Sequence, residues 1–371
     1  MPEPVALRCS QRLIQAGQPL TVDLIVRQGG TTIAAGVHAS LTAPEGFAVA
    51  PLATGGELRP GVDSVAGSWR VTAARPVPLA WLTARLGDAS VGLQAPVTVM
   101  ARAEVPALPA AAAGAYAAVQ ETVAVIGTER ARLVLVREPW GWADAHLQAR
   151  VGDAWQDAAR LPCLGLLADA AGETPLAGAE ARAESADGRA RLLLAAEAKA
   201  GGSMWAVTWE LSAESGSDLI GFRLTAVPAT PAAITALEGP MLYGGEGSSA
   251  VRRDAIVPGL EWLVEGEESS NSLDFKPDHP DRLRYVPHPY KVTVPAVGMT
   301  LGNMLVGLLW DTPAAQPSAD LAGALTVVFA SPDRFEGHRS HLAGLSLPAV
   351  GRGRAGNARR TKTPLTVPAG Q

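Results

Sequence analysis

Apolar and polar residues alternate with a period of two along much of this chain. Leu20, Val22, Leu24 and Val26 are interleaved with Thr21, Asp23, Ile25 and Arg27. Trp205, Val207, Trp209 and Leu211 are interleaved with Ala206, Thr208 and Glu210, and Ile220, Phe222 and Leu224 with Gly221, Arg223 and Thr225. Successive side chains of a strand leave on opposite faces, so this period predicts strands with one face buried. The segment Glu214–Asp218 joins the last two runs and predicts a hairpin with one apolar and one polar face. Leu133–Val136, Arg191–Ala195, Lys291–Val294, Met304–Trp310 and Leu325–Phe329 add further strands. No segment carries a helical period of useful length, and the chain reads as all-β.

Turn residues divide the pattern. In residues 1–104 the signals Gly29-Gly30, Pro44-Glu45-Gly46, Gly55-Gly56, Pro60-Gly61 and Gly87-Asp88 recur at short intervals, the punctuation of an Ig-like β-sandwich. Trp69 and Trp81 on its late strands are expected in its core. Residues 105–115, with Pro106 and Pro109 beside a run of alanines, read as a linker. Residues 116–371 have longer strands and read as a larger antiparallel sandwich. A length of 371 residues also exceeds what one ordinary core fills, which agrees with two domains.

Composition narrows the function classes. Apolar residues at 47% and charged residues at 18% suit a folded chain. A net charge of −5 argues against general nucleic-acid binding, and the basic cluster Arg352, Arg354, Arg359, Arg360 and Lys362 has no interleaved aromatics and reads as a solvated loop. Cys9 and Cys163 fall in different expected domains, so no disulfide and no zinc spacing is expected. The N-terminal residues lack the apolar core of a signal peptide, and no run approaches the roughly 18 apolar residues of a membrane helix. The chain as given therefore reads as cytoplasmic by default, without membrane contact. Gly244-Gly245-Glu246-Gly247 is not followed by Lys-Ser/Thr, no Gly-x-Ser-x-Gly elbow is present, and no cofactor is expected.

Candidate chemistry concentrates between Gly239 and Lys291. Tyr243, Tyr285, Tyr290, Trp262, His279, His288, Glu261, Glu265, Glu267, Glu268, Asp274, Asp278 and Asp281 all fall there. Burying that many charges unpaired costs several kcal/mol each, so the stretch is a solvated loop or a site. Glu261, Glu265 and Glu267 share a face if the segment is extended, and with Glu268 they offer the two carboxylates that glycoside hydrolysis needs. A solvated acidic loop beside a domain interface is the favoured reading, ahead of glycan contact and of catalysis. Asp274, Asp278 and Asp281 match no EF-hand spacing and read as Asp/Pro turns. His338 and His341 would face opposite ways on a strand. Pro287 and Pro289 fix the backbone around His288, which with Tyr285 and Tyr290 is expected to face a ligand or a partner. Outside this stretch, Trp140 and Trp142 share a face if extended, where a sugar ring could stack on exposed indoles; burial is the commoner fate of Trp and the favoured reading.

One order of motifs carries a resemblance. Gly239-Pro240-Met241-Leu242-Tyr243-Gly244 is followed by Pro258-Gly259-Leu260-Glu261-Trp262-Leu263 and Glu267-Glu268-Ser269-Ser270. Then come Tyr285-Val286-Pro287-His288-Pro289-Tyr290-Lys291-Val292, Val306-Gly307-Leu308-Leu309-Trp310-Asp311 and His341-Leu342-Ala343-Gly344-Leu345-Ser346-Leu347-Pro348. Over residues 116–371 this resembles the galactose-mutarotase-like β-supersandwich that precedes a six-hairpin (α/α) barrel in several glycosidase families, and residues 1–104 resemble the Ig-like modules attached to such enzymes. The resemblance implies that the acid and base sit in the barrel, of which this chain has none, and that the supersandwich is incomplete at Thr363–Gln371, a strand-like end expected to leave an unpaired edge. The expected role is a non-catalytic portion of a carbohydrate-active protein. Its expected partners are carbohydrate and a helical barrel, in cis or in trans, with no catalytic residue and no metal. Trp140, Trp142, Glu261, Trp262, Glu267, Glu268, Tyr285, His288 and Tyr290 are the candidate contacts. The alternatives are a sugar-acting enzyme of the epimerase or lyase kind, and a structural interaction module without glycan binding.

Overall fold

The structure is a computed structural model, and it describes residues 2–10, 13–28, 38–54, 58–87, 92–101, 114–244, 253–265, 267, 291–311, 325–330, 342–347 and 364–370. Among these there is no α-helix, and the chain is all-β, built of antiparallel sheets in sandwich-like arrangement. Contacts divide it into two units. Of the expected linker, only Gly114 and Ala115 lie within the described residues.

The first unit holds β1 (Pro2–Cys9), β2 (Leu13–Gln15), β3 (Pro19–Gln28), β4 (Ala39–Thr42), β5 (Phe47–Thr54), β6 (Asp63–Ala73), β7 (Val77–Leu86) and β8 (Leu93–Met100). Two four-stranded sheets form, in the orders β1-β3-β6-β5 and β2-β8-β7-β4. The β2–β8 pair is parallel. The alternation read in β3 puts Leu20, Val22, Leu24 and Val26 into a core shared with Trp69, Val71, Leu82 and Val97. Each such side chain contributes roughly 1.5–3 kcal/mol by leaving water. Trp69 is buried as expected, while Trp81 is only half-buried. Gly67 is needed beneath Trp69, since a Cβ there would lie 2.6 Å from the indole.

The second unit begins with β9 (Tyr116–Val119), β10 (Val123–Gly127), β11 (Ala131–Glu138), β12 (Gly141–Val151), β13 (Ala154–Leu161), β14 (Gly165–Ala168) and β15 (Glu173–Leu176). Next are β16 (Glu180–Ala186), β17 (Arg189–Ala200), β18 (Ser203–Glu214), β19 (Ile220–Pro228), β20 (Ala232–Ile234) and β21 (Ala236–Gly244). The last are β22 (Asp254–Val257), β23 (Glu261–Val264), β24 (Ala296–Leu301), β25 (Met304–Leu309), β26 (Thr326–Ala330), β27 (Leu342–Leu347) and β28 (Leu365–Val367). A ten-stranded sheet runs β15-β14-β21-β13-β12-β11-β10-β9, with β27 pairing both β21 and β26. The second sheet is β16-β17-β18-β19, the third is β23-β22-β24-β25, and β20 pairs β28.

One core unites these sheets. Leu133, Leu135, Ala145, Ala159 and Leu161 of the large sheet pack with Leu192, Leu194, Trp205, Val207, Trp209 and Leu211 of β17 and β18. The two indoles are buried with their N–H groups satisfied, Trp205 donating to the Ala200 carbonyl at 2.9 Å and Trp209 to the Leu164 carbonyl at 3.1 Å. Ala255, Val257, Leu263, Val297, Met299 and Val306 bring the third sheet into the same core. The hairpin expected around Glu214–Asp218 forms, with Trp209 opposite Leu224. One expectation is corrected. Residues 291–295 are not a strand, because β24 begins only at Ala296. The strand-like C-terminal segment pairs on one side, Leu365–Val367 with Ala232–Ile234.

Candidate functional site

Two sheet faces in the second unit depart from ordinary burial, in opposite senses. The first is the face of β11, β12 and β13 turned away from the shared core. Asp144, His146 and Gln148 alternate along β12, and cross-strand pairing sets His146 opposite Arg160 and Gln148 opposite Asp157. A bulge between Leu147 and Gln148 brings Asp157 and Arg160 to one face. The Arg160 Nε and Nη2 atoms donate to the two oxygens of Asp144, each at 2.8 Å. His146 Nδ1 lies 3.0 Å from Asp157 Oδ2 and its Nε2 lies 3.4 Å from Asp144 Oδ2. Gln148 donates to Asp157 Oδ1 at 2.7 Å and accepts from Arg132 Nε at 2.8 Å, and the Arg132 guanidinium stacks 4.1 Å from the centre of the Trp155 ring.

Burial of this face is deep, with Asp144 1% and His146 5% exposed. Burial alone would push His146 down, yet the hydrogen bonds to Asp144 and Asp157 outweigh it and raise His146 to about 9. Burial likewise pushes Asp144 up, but His146 and Arg160 more than reverse this and hold it below the usual carboxylate value; Asp157 is lowered in the same way by His146 and Gln148. An imidazolium bonded at both nitrogens has no lone pair to serve as a general base. The network can lock three strands together. None of its five central residues was among the sequence candidates. The available signal was the polar alternation Asp144, His146, Gln148 inside an apolar strand, which a search for turns and loop motifs passes over.

The second face belongs to β22–β25. Trp262, Ile256, Gly298 and Gly307 stand in one cross-strand row, and Val264, Asp254, Thr300 and Leu305 in the next. Trp262 is 73% exposed, Leu305 79% and Leu309 68%, with Ile256 and Val264 also exposed. The exposed Ile256 stands next to the indole, and Gly298 and Gly307 continue the row on β24 and β25. This apolar surface is not a by-product of a disordered pattern, since the alternate residues of the same strands are buried in the core.

The fate of the sequence candidates follows from these faces. Trp262 is on the open face. Trp142 is 2% exposed and packed in the core, its backbone exchanging hydrogen bonds with Gly178, so it is no surface contact. Trp140 is half-buried in the turn between β11 and β12, so the two indoles do not form a shared sugar-stacking face. Glu261, Glu265 and Glu267 do not project together either. Glu261 is half-buried at the start of β23, Glu265 turns the chain at φ 50°, and the exposed Glu267 folds back to accept the Val264 N–H at 2.9 Å. Glu268, Tyr285, His288 and Tyr290 lie outside the described residues, as do His279, Asp274, Asp278, Asp281, His338 and His341. Among the described residues no cluster of His, Cys, Asp and Glu is arranged to hold a metal ion. A depression of about 350 Å³ on the solvent face of β16–β19 is lined by Arg182, Leu193, Thr208, Glu210, Arg223 and Thr225. Its Glu210 is paired with Arg191 and Arg223, a solvated cross-strand charge ladder.

No protein-family model and no curated protein matches the chain. Among solved structures, domains 5–6 of the S-layer protein SbsC match 61% of this chain and 97% of that one, at 13% identity and a TM-score of 0.21. A likeness that loose carries no argument about function.

Proposed function

We propose that the chain is a non-catalytic, carbohydrate-contacting part of a carbohydrate-active protein, and that Trp262 is its contact. The observation that carries this is an indole 73% exposed on a largely apolar sheet face, flanked by the exposed Ile256. The C–H face of a pyranose stacks on such a ring, and Asp254 and Thr300, one row away, offer an acceptor and a hydroxyl to its oxygens. The galactose-mutarotase-like resemblance of residues 116–371 supports the same class, and it adds a helical barrel as partner in cis or in trans. A sugar-acting enzyme of the epimerase kind draws support from His146 lying between Asp144 and Asp157. That support is outweighed by the same geometry, because the ring is protonated, doubly bonded and buried.

Isothermal titration against a panel of soluble plant and bacterial polysaccharides tests the reading. Binding is expected for the wild-type chain, with loss of at least tenfold in affinity for Trp262→Ala at an unchanged thermal midpoint. A chain that binds nothing in the panel, or a Trp262→Ala variant that binds as wild type, removes the proposal. Mutarotation or glycosidase turnover abolished by His146→Gln would replace it with the enzyme reading.

A further inference from the structure

Several sheet edges of the second unit are guarded against pairing, whereas β25, like β9 and β26, carries no such guard. β16 carries Glu180, Arg182 and Glu184, and β15 carries Pro175. At β23 the outward N–H of Val264 is already taken by the Glu267 carboxylate. These are the charges, prolines and side-chain caps by which edge strands avoid pairing with other chains. β25 reads Met-Leu-Val-Gly-Leu-Leu, with no charge, no proline and, among the described residues, no strand beyond it.

Its hydrogen-bond alternation is fixed by the ladder to β24. Trp310 N–H bonds the Pro295 carbonyl at 3.0 Å, which makes Met304, Val306 and Leu308 the residues that exchange bonds with β24. Leu305, Gly307 and Leu309 therefore point N–H and C=O outward, and all three are exposed. We infer that this chain self-associates through β25, which pairs antiparallel with β25 of a second copy about a two-fold axis at Gly307.

The occupant follows from self-complementarity. With Gly307 opposite Gly307, Leu305 falls opposite Leu309 of the copy and Leu309 opposite Leu305. These three pairs are the ones whose backbone groups point outward, so each exchanges both N–H···O=C bonds and no outward group of the edge is left over. On the other face Val306 meets Leu308 and Met304 meets Trp310, apolar against apolar. At each end Asn303 falls opposite Asp311, an amide facing a carboxylate, so no like charges meet. A one-residue slip would set the outward groups of one copy against the spent groups of the other, and a two-residue slip would break the Leu305–Leu309 match. The contact is isologous and closes at two copies. It doubles the four-stranded sheet and leaves both Trp262 rings on the open face, so it stands independently of the carbohydrate reading.

Sedimentation equilibrium on the full chain tests it, with a charge exchange as the decisive arm. Wild type is expected to be a dimer at tens of micromolar. Leu305→Lys and Leu309→Glu, each placing a charge opposite a leucine, are expected to weaken association at least tenfold. The double variant Leu305→Lys with Leu309→Glu sets each lysine opposite a glutamate of the copy and is expected to restore the dimer. Both side chains are exposed, so far-ultraviolet circular dichroism should not move in any variant, nor should the thermal midpoint measured at a concentration low enough to keep every chain monomeric. A monomeric wild type, open-ended oligomers, or a double variant no more associated than the singles would each overturn the inference.

Discussion

The β11–β13 face buries charge and the β22–β25 face exposes hydrocarbon, although both are sheet faces of one unit. The difference lies in whether the groups are satisfied. On β11–β13 the buried Asp144 and the half-buried Asp157 each hold an ionised partner at hydrogen-bond distance, and the imidazole between them is held in the charged form that bonds to both. On β22–β25 the apolar side chains have water on one side, and the β25 edge has backbone groups aimed outward. A satisfied buried network stabilises a fold and offers nothing to a ligand. An unsatisfied exposed face stabilises nothing by itself and is what a ligand or another chain completes. Chemical reactivity of residue types alone would have ranked the two faces the other way round.

Cutting the network tests the first half of this contrast. Arg160→Met leaves Asp144, 1% exposed, with only the longer contact to His146. Removing one partner of a buried pair typically costs roughly 3–5 kcal/mol, whereas replacing both by apolar groups recovers much of it. Urea denaturation should show that loss for Arg160→Met and substantial recovery in Arg160→Met with Asp144→Leu. A cost under about 1 kcal/mol for the single variant would mean that the network is a surface ladder of the ordinary weak kind.

How much of this was legible in the sequence depends on the range of the signal. Strand period, the β18–β19 hairpin and the apolar partners of β3 are local, and alternation at Leu20–Val26 and Trp205–Leu211 showed them directly. The Asp144–His146–Asp157–Arg160 network needs a bulge on β13 to bring Asp157 and Arg160 to one face, and no local pattern announces a bulge. Trp142 and Trp262 look alike as residues flanked by strand formers. Their fates differ because Trp142 starts β12 over the core, whereas Trp262 sits one residue out of phase with Leu263, which the core takes. The acidic stretch misled for a similar reason, since extended geometry was assumed across Glu261–Glu267 and the chain turns at Glu265.

The pH dependence sharpens the comparison with a somewhat smaller effect. His146 is raised from 6.5 to about 9, so its contribution is complete below pH 6.5, where the unfolded histidine is protonated as well, and it is lost as pH rises through about 9. Asp144 and Asp157 are lowered from 3.8, so their contribution is present above that value and is lost on acidification. The urea midpoint should therefore be highest between these limits and fall on the alkaline side by an amount worth a few kcal/mol. His146→Gln should flatten the alkaline limb while lowering the plateau. A midpoint that is level from pH 6 to 9.5 in the wild-type chain would show that His146 is not held between two carboxylates in solution.

The smallest expected effect lies on the open face, and its smallness is the point. Trp262 keeps most of its surface in water in the folded chain, so truncating it removes little burial and leaves no cavity. Trp262→Ala should change the unfolding free energy by no more than about 0.5 kcal/mol, the range of ordinary surface substitutions. Measured by urea denaturation at a concentration low enough to keep the chain monomeric, that neutrality would separate the indole's role in binding from any role in folding. At high concentration the same variant should remain as associated as wild type, because the proposed pairing runs through the β25 edge and leaves β23 outside it. A cost above about 2 kcal/mol would mean that Trp262 is packed in solution, and both the exposed-face comparison and the carbohydrate contact would fall with it.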